Sequence, residues 1–157
     1  MPDPLGTDVA LTRYVGTAAA TPLDFAHSWG TLDLAVAPRV VGLRATGPAG
    51  LATVSGRANL AQALILRLLT PRGSMAALGH PGYGSRLVEL VGRRNDVATR
   101  NLARLFVIEA LGQEPRAALR DLAVDTDPAA PDVVRISFAV LPAGDPDPLA
   151  LSLELRP

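Results

Sequence analysis

The four glutamates are the residues of this sequence best suited to acid–base chemistry; they are Glu89, Glu109, Glu114 and Glu154. Glycoside hydrolysis needs one carboxyl group as an acid and a second as a base or nucleophile. Glu89 and Glu109 fall in predicted helices, and Glu154 falls on the polar face of a predicted strand. None lies in a loop beside a partner aspartate, so the sequence favours a non-enzymatic protein. A peptidoglycan hydrolase is the alternative, because carboxylates that meet in space need not be neighbours in sequence.

The sequence gives little support to metal or phosphate chemistry. The two histidines, His27 and His80, belong to no metal-binding or histidine–carboxylate pattern. The chain has no cysteine and no lysine, which excludes thiolate ligands and a Walker-type phosphate loop. The glycine-rich run that holds His80, Pro81, Tyr83 and Gly84 is therefore predicted to be a structural loop. We predict no catalytic residue, no cofactor and no metal.

One charged triplet, Glu114-Pro115-Arg116, indicates binding rather than catalysis. Proline restricts its own backbone and that of the preceding residue, so the flanking charges are held in a defined geometry. A rigidly held arginine is a good bidentate partner for a carboxylate on another element or subunit. If the triplet serves another subunit, its charges should contribute little to the fold itself. A solvated turn at a helix exit is the alternative.

Composition indicates a globular domain with an aliphatic core. The chain has 157 residues, of which 48% are hydrophobic and only 4% aromatic, so Leu, Val, Ile and Ala must fill the core. The formal net charge is zero, which argues against nucleic-acid binding and favours association with other proteins. The first ten residues lack the apolar stretch of a secretory signal, and no run approaches the roughly 20 apolar residues of a membrane span. We expect a protein that folds in the cytoplasm without membrane insertion.

Periodicity predicts an α+β fold in which about three helices precede a small antiparallel three-stranded sheet. The first helix begins near Asn59 and ends before Pro71. A short second helix follows Ser85. The third begins at Asp96 or the residue before it and ends at Gly112. Its predicted apolar stripe is formed by Ala98, Leu102, Leu105 and Phe106.

After Pro115 the apolar period changes from 3.6 to 2, which predicts strands. A weaker strand covers residues 118–124, and two clear ones follow at 133–141 and 149–156. The buried faces of the two clear strands alternate along the chain: Val134, Ile136, Phe138, Leu149, Leu151, Leu153 and Leu155. Residues 51–157 are thus predicted to form one α+β domain. Residues 1–50, rich in Pro, Gly, Ala and Thr, are predicted to form an extended arm with short strands.

Several of these fragments together resemble the gp25-like sheath-initiator family of phage tails and related contractile injection systems. They stand in the family's order and at its usual spacing, and the Glu-Pro-Arg triplet after the long helix is the family's signature. The fragments are Gly56, Asn59-Leu60, Gln62-Ala63-Leu64, Arg67-Leu68, Thr70, His80-Pro81, Tyr83-Gly84-Ser85, Leu87 and Glu114-Pro115-Arg116. Two features depart from the pattern: Gly73-Ser74 stands where the family has Gly-Glu, and the first 50 residues are longer and richer in proline.

The resemblance implies a structural, non-enzymatic baseplate protein that links the wedge to the contractile sheath and templates sheath assembly. It implies wedge docking through Glu114, Pro115 and Arg116, and sheath joining by strands added at 133–141 and at 149–156, which includes Ser152. The implied partners are sheath and baseplate wedge proteins, with tube or hub proteins beside them, at one copy per wedge of a sixfold assembly. The protein would assemble in the cytoplasm and become part of a phage tail-like particle.

The final predicted strand supports the same role independently of the resemblance. No later element follows residues 149–156 to cover a sheet edge, so we expect an edge that is open to a partner strand. A central position with neighbours on both sides is the alternative, because strand order cannot be read from one sequence.

Overall fold

The protein is described by a computed structural model that covers residues 3–11, 21–23, 36–41 and 44–157, with side chains described for residues 3–11 and 50–157. Its helices and strands follow in the order β1 (Thr7–Val9), β2 (Thr21–Leu23), β3 (Val36–Val41), β4 (Arg44–Leu51), β5 (Thr53–Ser55), α1 (Gly56–Leu69), α2 (Val97–Leu111), β6 (Ala117–Asp127), β7 (Ala130–Pro142) and β8 (Leu149–Leu155). Two short 3-10 segments, Ala76–Leu78 and Leu87–Leu90, lie between the helices. The α+β class is confirmed.

The described residues contain two α-helices, so the prediction of about three is wrong. The expected second helix is a 3-10 segment of four residues, Leu87–Leu90. Leu87 and Leu90 stand three positions apart on the same side and are both buried, which suits a 3-10 turn as well as an α-helix. Gly92 follows with a positive φ of 86°, which ends the turn before a longer helix can form.

Helix α1 forms as predicted. Leu60, Leu64 and Leu68 recur every four residues on one side, and all three are fully buried. Pro71 lies two residues beyond the end of the helix and cannot supply the N–H that another turn would need. The Thr70 hydroxyl instead donates to a carbonyl of the last turn at 2.7 Å.

Helix α2 also forms, but the predicted apolar stripe is out of phase. Asp96 caps the helix, since its carboxylate accepts the N–H of Thr99 at 2.7 Å, and this bond holds the pKa of Asp96 below its ordinary value. Leu105, which was assigned to the buried stripe, is 55% exposed. The face that packs inward consists of Thr99, Ala103, Phe106, Val107, Ala110 and Leu111. Because α2 is apolar on both faces, periodicity alone does not set which face packs.

The main sheet has four strands in the order β2-β8-β7-β6. The antiparallel part, β6-β7-β8, confirms the three strands predicted after Pro115. The fourth strand, β2, lies in the arm where short strands were predicted, but its parallel pairing with β8 was not predicted. Two further antiparallel pairs, β1 with β5 and β3 with β4, lie in the first 55 residues. The division of the chain near residue 50 stays a prediction.

The core lies between the helices and one face of the main sheet. The alternating residues of β7 and β8 face this core: Val134, Ile136, Phe138, Leu153 and Leu155 are buried as predicted, whereas Leu149 and Leu151 are only partly buried against it. Residues 3–11 also belong to it, because this segment packs against α1. Its buried side chains are Leu5, Ala10 and Leu11. No helix of the described ranges is both long enough and apolar enough to cross a membrane.

Candidate functional site

The predicted docking triplet begins with a buried carboxylate. Glu114 lies three residues past the end of α2, and its side chain is only 4% exposed. Arg116 donates two hydrogen bonds to this carboxylate: Nε donates to Oε1 at 2.7 Å, and the terminal nitrogen NH2 donates to Oε2 at 3.1 Å. Arg67 of α1 donates to the same Oε2 at 3.3 Å. The bidentate partner of Arg116 is therefore its own neighbour in the triplet, not a carboxylate of another element as the sequence suggested.

The charge of Glu114 is stabilised by its two arginines. Burial alone would raise the pKa of this carboxyl group, but the hydrogen bonds from Arg116 and the charges of Arg116 and Arg67 outweigh burial. The pKa of Glu114 therefore lies below its ordinary value, and the pKa of Arg116 is raised by the same hydrogen bond. A buried carboxylate that two arginines hold ionised joins the end of α2 to α1. That the triplet contributes little to the fold stays a prediction, against which the burial of Glu114 and its two ion pairs argue.

Arg67 connects the triplet to the glycine-rich loop. Its guanidinium carbon lies 4.6 Å from the centre of the Tyr83 ring, in a cation–π arrangement. The Arg67 side chain is 11% exposed, and its Nε atom has no hydrogen-bond partner. Burial raises the pKa of Tyr83, and the charge of Arg67 opposes that shift. Arg67 thus depends on Glu114 and Tyr83 for its only polar contacts among the described side chains.

Arg116 also holds the N-terminal segment. Its second terminal nitrogen, NH1, donates to the carbonyl of Leu5 at 3.0 Å, and the Asn59 side-chain amide donates to the same carbonyl at 2.9 Å. Gln62, one turn along α1, accepts the N–H of Leu11 at 2.9 Å and donates to the carbonyl of Val9 at 2.8 Å. These side chains bind backbone atoms, so they hold an extended segment largely irrespective of its side chains.

The loop with His80 and Pro81 is an exposed turn whose C-terminal end, at Gly84 and Ser85, packs against the end of α1. A Cβ atom at Gly84 would lie 2.4 Å from the carbonyl oxygen of Thr70, and φ is +104° there, so only glycine fits. Ser85 then bonds back to α1, donating its hydroxyl to the Leu68 carbonyl at 2.6 Å. The geometry supports a structural part for this loop. In the described ranges no group of three or more His, Cys, Asp or Glu side chains could hold a metal ion.

The structure brings together residues that are far apart in sequence. Asn59, Gln62 and Arg67 of α1, Tyr83 of the loop, and the triplet form one cluster, which we call the arginine–glutamate cluster. The role of the three α1 residues was not predicted. A signal was present, because Asn59 and Gln62 interrupt the buried side of an otherwise apolar helix, and buried polar groups need partners.

A surface groove of about 450 Å³ runs beside the exposed part of the triplet. Pro115 and Arg116 form one side, and the turn between β7 and β8, from Leu141 to Asp145, forms the other. The Arg116 side chain is 30% exposed and borders this groove. Arg57 fixes the turn by an ion pair with Asp145 at 2.6 Å. The groove therefore has two rigid walls and one partly free arginine.

The other three glutamates also face arginines. Glu89 pairs with Arg86 at 2.8 Å, and Glu154 lies 3.4 Å from Arg135. Glu109 is bonded to Arg72. The pKa of Glu89 is lowered by its hydrogen bond from Arg86. A general acid in glycoside hydrolysis needs a raised carboxyl pKa, so the arrangement at Glu89 is opposite to what the acid requires.

In the part of the chain that the structure describes, the outer edge of β8 is paired with another strand over only part of its length. Strand β2 pairs only with residues 153–155, so residues 149–152 have no neighbouring strand on that side in the described part of the chain. The N–H of Ala143 donates to the carbonyl of Arg116 at 2.8 Å. This bond shows which residues of β7 direct their backbone N–H groups toward β6 and which direct them toward β8. The direction of the N–H groups alternates from residue to residue along each strand, so the register of β7 with β8 makes the N–H groups of Ala150 and Ser152 point away from β7.

The opposite edge of the sheet, β6, is protected. A bulge interrupts its register between Leu119 and Asp121, and the Asp121 carboxylate accepts the N–H of Leu122 at 2.9 Å. Arg120 and Asp125 add exposed charges along this edge. Bulges and charged side chains are the usual means of preventing unwanted strand pairing. The uncharged segment 149–152 of β8 has neither feature.

Comparison with known proteins supports the fold. No protein-family model matches the sequence, and no curated protein matches it. Among solved structures, the chain is similar to a crystal structure of a candidate tail lysozyme from Geobacter sulfurreducens, with a TM-score of 0.56 and 21% sequence identity. The similarity covers 66% of this chain and 92% of that chain. The two proteins share a fold.

Proposed function

We propose that this protein is a structural subunit of a phage tail-like contractile machine, which joins the baseplate wedge to the sheath and templates sheath assembly by strand addition. The similarity in fold to a tail protein supports this reading. So does the arginine–glutamate cluster, because it gathers residues from five of the fragments through which the sequence resembles the gp25-like family. The partners, the sixfold arrangement and the location in the particle are part of the proposal.

The observation that supports the sheath-joining role is the edge of β8, which among the described residues is paired only at 153–155. Residues 149–152 present backbone N–H groups outward and carry no charged side chain, while the other edge is bulged and charged. A strand from a sheath subunit would pair there through backbone hydrogen bonds, in line with β2. Its side chains would continue the inner and outer faces of the existing sheet.

The wedge would bind at the groove beside Pro115 and Arg116. The proline ring fixes one wall, and the remaining N–H groups of the Arg116 terminal nitrogens can donate to a carboxylate or a carbonyl of the partner. Glu114 would act indirectly, because its two hydrogen bonds orient the guanidinium and leave its remaining donors defined. The triplet then has two parts: Glu114 organises it, and Pro115 with Arg116 contacts the wedge.

A peptidoglycan hydrolase is the second candidate, because the similar solved structure is named a tail lysozyme. The glutamate pairs argue against it for this chain, since Glu114 and Glu89 both have lowered pKa values. The purified protein should not lower the turbidity of a peptidoglycan suspension below a buffer control. Clearing that disappears when a single glutamate is changed to glutamine would establish the hydrolase instead.

Strand addition is tested by placing a proline at the open edge. Ala150→Pro removes an N–H that points away from β7, so the isolated protein should keep nearly its normal melting temperature. The incoming strand would lose one hydrogen bond and meet the proline ring. Particles assembled with Ala150→Pro should therefore show tubes on baseplates without ordered sheath in electron micrographs.

Two matched variants make the result specific. Ala139 lies directly opposite Ala150 in β7, and its N–H points into the sheet toward β6, so Ala139→Pro should destabilise the isolated protein. Ala150→Val keeps the N–H and suits a strand, so it should assemble a normal sheath. Normal contractile sheath on folded Ala150→Pro would exclude strand addition at this edge.

A further inference from the structure

The face of α2 opposite the core is apolar and exposed. Val97 is 65% exposed, Leu105 is 55% exposed and Ile108 is 46% exposed. At about 100° per residue, these three positions fall within a sector of about 80°, on the side of the helix away from Phe106 and Ala110. Together they form a stripe about 16 Å long, which the exposed Asn101 interrupts between Val97 and Leu105 in the same sector. We call it the outer stripe of α2.

Such a stripe is unusual on a helix that has water on one side. A surface helix normally carries polar residues there, and a helix that is apolar on both faces is usually buried on both. Single exposed leucines need no explanation, but apolar residues aligned over three turns suggest a binding surface. α2 is also firmly held on its inner side, with Phe106 and Val107 buried in the core, so the outer stripe is presented on a rigid element.

The charges around the outer stripe are mainly positive. Arg104 borders it on α2 and Arg94 lies just before the helix; neither forms an ion pair in the described part of the chain. Of the two carboxylates of this region, Glu109 is paired with Arg72, and Asp96 keeps its charge while it accepts the N–H of Thr99 at the helix N-terminus. A partner therefore meets an apolar stripe with free guanidinium groups at its side.

We propose that the outer stripe of α2 binds an acidic amphipathic helix of another protein. A helix is the matching shape, because apolar side chains spaced three and four residues apart interdigitate with a stripe of the same spacing. Acidic residues flanking that apolar face would pair with Arg104 and Arg94. A second copy of this chain is a poor occupant, because two copies of the stripe would bring like charges together. This surface is separate from the triplet groove and from the β8 edge, and the proposal does not depend on either role.

The absence of cysteine from the sequence gives a direct test. Leu105→Cys places a single thiol on the outer stripe, and Ala150→Cys places one on the outer face of the sheet as a control. The probe is a synthetic amphipathic helix with Leu at heptad positions a and d and Glu at the flanking positions. Its matched control has Lys in place of every Glu. The rate of thiol modification is measured for both variants in the full chain, with and without each peptide.

The thiol of Leu105→Cys should react freely in the isolated monomer. At ten times its dissociation constant, the Glu peptide should slow the reaction about tenfold, because about nine-tenths of the sites are occupied. Modification of Ala150→Cys should be unchanged. Adding Arg104→Glu to Leu105→Cys should abolish protection by the Glu peptide while the melting temperature stays the same.

Each other outcome would overturn the proposal. An unreactive thiol in the monomer would mean that the chain covers the stripe itself. Protection that increases with protein concentration, together with dimers in sedimentation, would make a second copy the occupant. Equal protection by the Lys peptide would show that the partner need not be acidic. No protection by the Glu peptide at millimolar concentration would show that the stripe does not bind an amphipathic helix.

Discussion

Replacing Glu114 with alanine should lower the free energy of unfolding by about 3–5 kcal/mol, which is typical of breaking a buried ion pair by removing one partner. Arg67 explains the size of the effect. Its side chain is 11% exposed, its Nε atom already lacks a partner, and Glu114 is its only ion-pair partner among the described residues. Without Glu114, a largely buried guanidinium keeps only its contact with the Tyr83 ring.

Urea denaturation of Glu114→Ala and of the unchanged protein gives the difference directly. Glu89→Ala is the matched control, because Glu89 also pairs with a nearby arginine, but at an exposed position. Exposed pairs contribute little, so this control should unfold close to the unchanged protein. Equal effects of the two variants would show that the burial of Glu114 does not matter to stability.

The same carboxylate predicts a dependence on pH. The pKa of Glu114 is lower in the folded protein than its ordinary value of 4.5, so the unfolded chain binds its proton first as the pH falls. Its contribution is complete above that value and is lost as the pH falls through the lower pKa of the folded state. The free energy of unfolding should therefore decline less steeply below pH 4.5 in Glu114→Gln than in the unchanged protein.

The triplet combines a part in folding with a proposed part in docking, and the sequence could predict only that it binds something. Proline and two charges are visible locally, and they indicate a fixed geometry. Arg67 lies 47 positions before Glu114, so their contact follows from how α1 packs against the end of α2. That packing depends on the aliphatic core, whose side chains carry no information about which charges will meet.

The helices show a similar limit. The existence and ends of α1 and α2 could be predicted, because caps, proline and apolar spacing act locally. Which side of α2 faces the core could not be predicted, because Leu105 and Phe106 are adjacent apolar residues. Only the tertiary packing buries Phe106 and exposes Leu105. The parallel pairing of β2 with β8 was equally hidden. It joins residues more than 120 positions apart. One of the three β2 residues is Pro22, a residue type that is uncommon inside sheets.

The sheet itself predicts the second large effect, in Leu153→Asp. Leu153 is fully buried and lies between Ile136 of β7 and Thr21 of β2. An aspartate there would have to bury an unpaired charge or be protonated, and the core would also lose a leucine. The free energy of unfolding should fall by at least about 4 kcal/mol, enough to unfold a marginally stable domain.

Ser152→Asp is the matched control, because it separates the effect of burying a charge in the core from the effect of placing an aspartate anywhere in β8. It introduces the same residue one position earlier in the same strand, but on the opposite face, beside Ser137 on the partly exposed outer side. Circular dichroism and urea denaturation should show Ser152→Asp folded and Leu153→Asp unfolded. If both fold normally, Leu153 is not part of the core and the placement of β8 is wrong. If only Leu153→Asp unfolds, the inner side chains of β8 are committed to the fold, so the strand addition that we propose at β8 would have to use the backbone edge at residues 149–152.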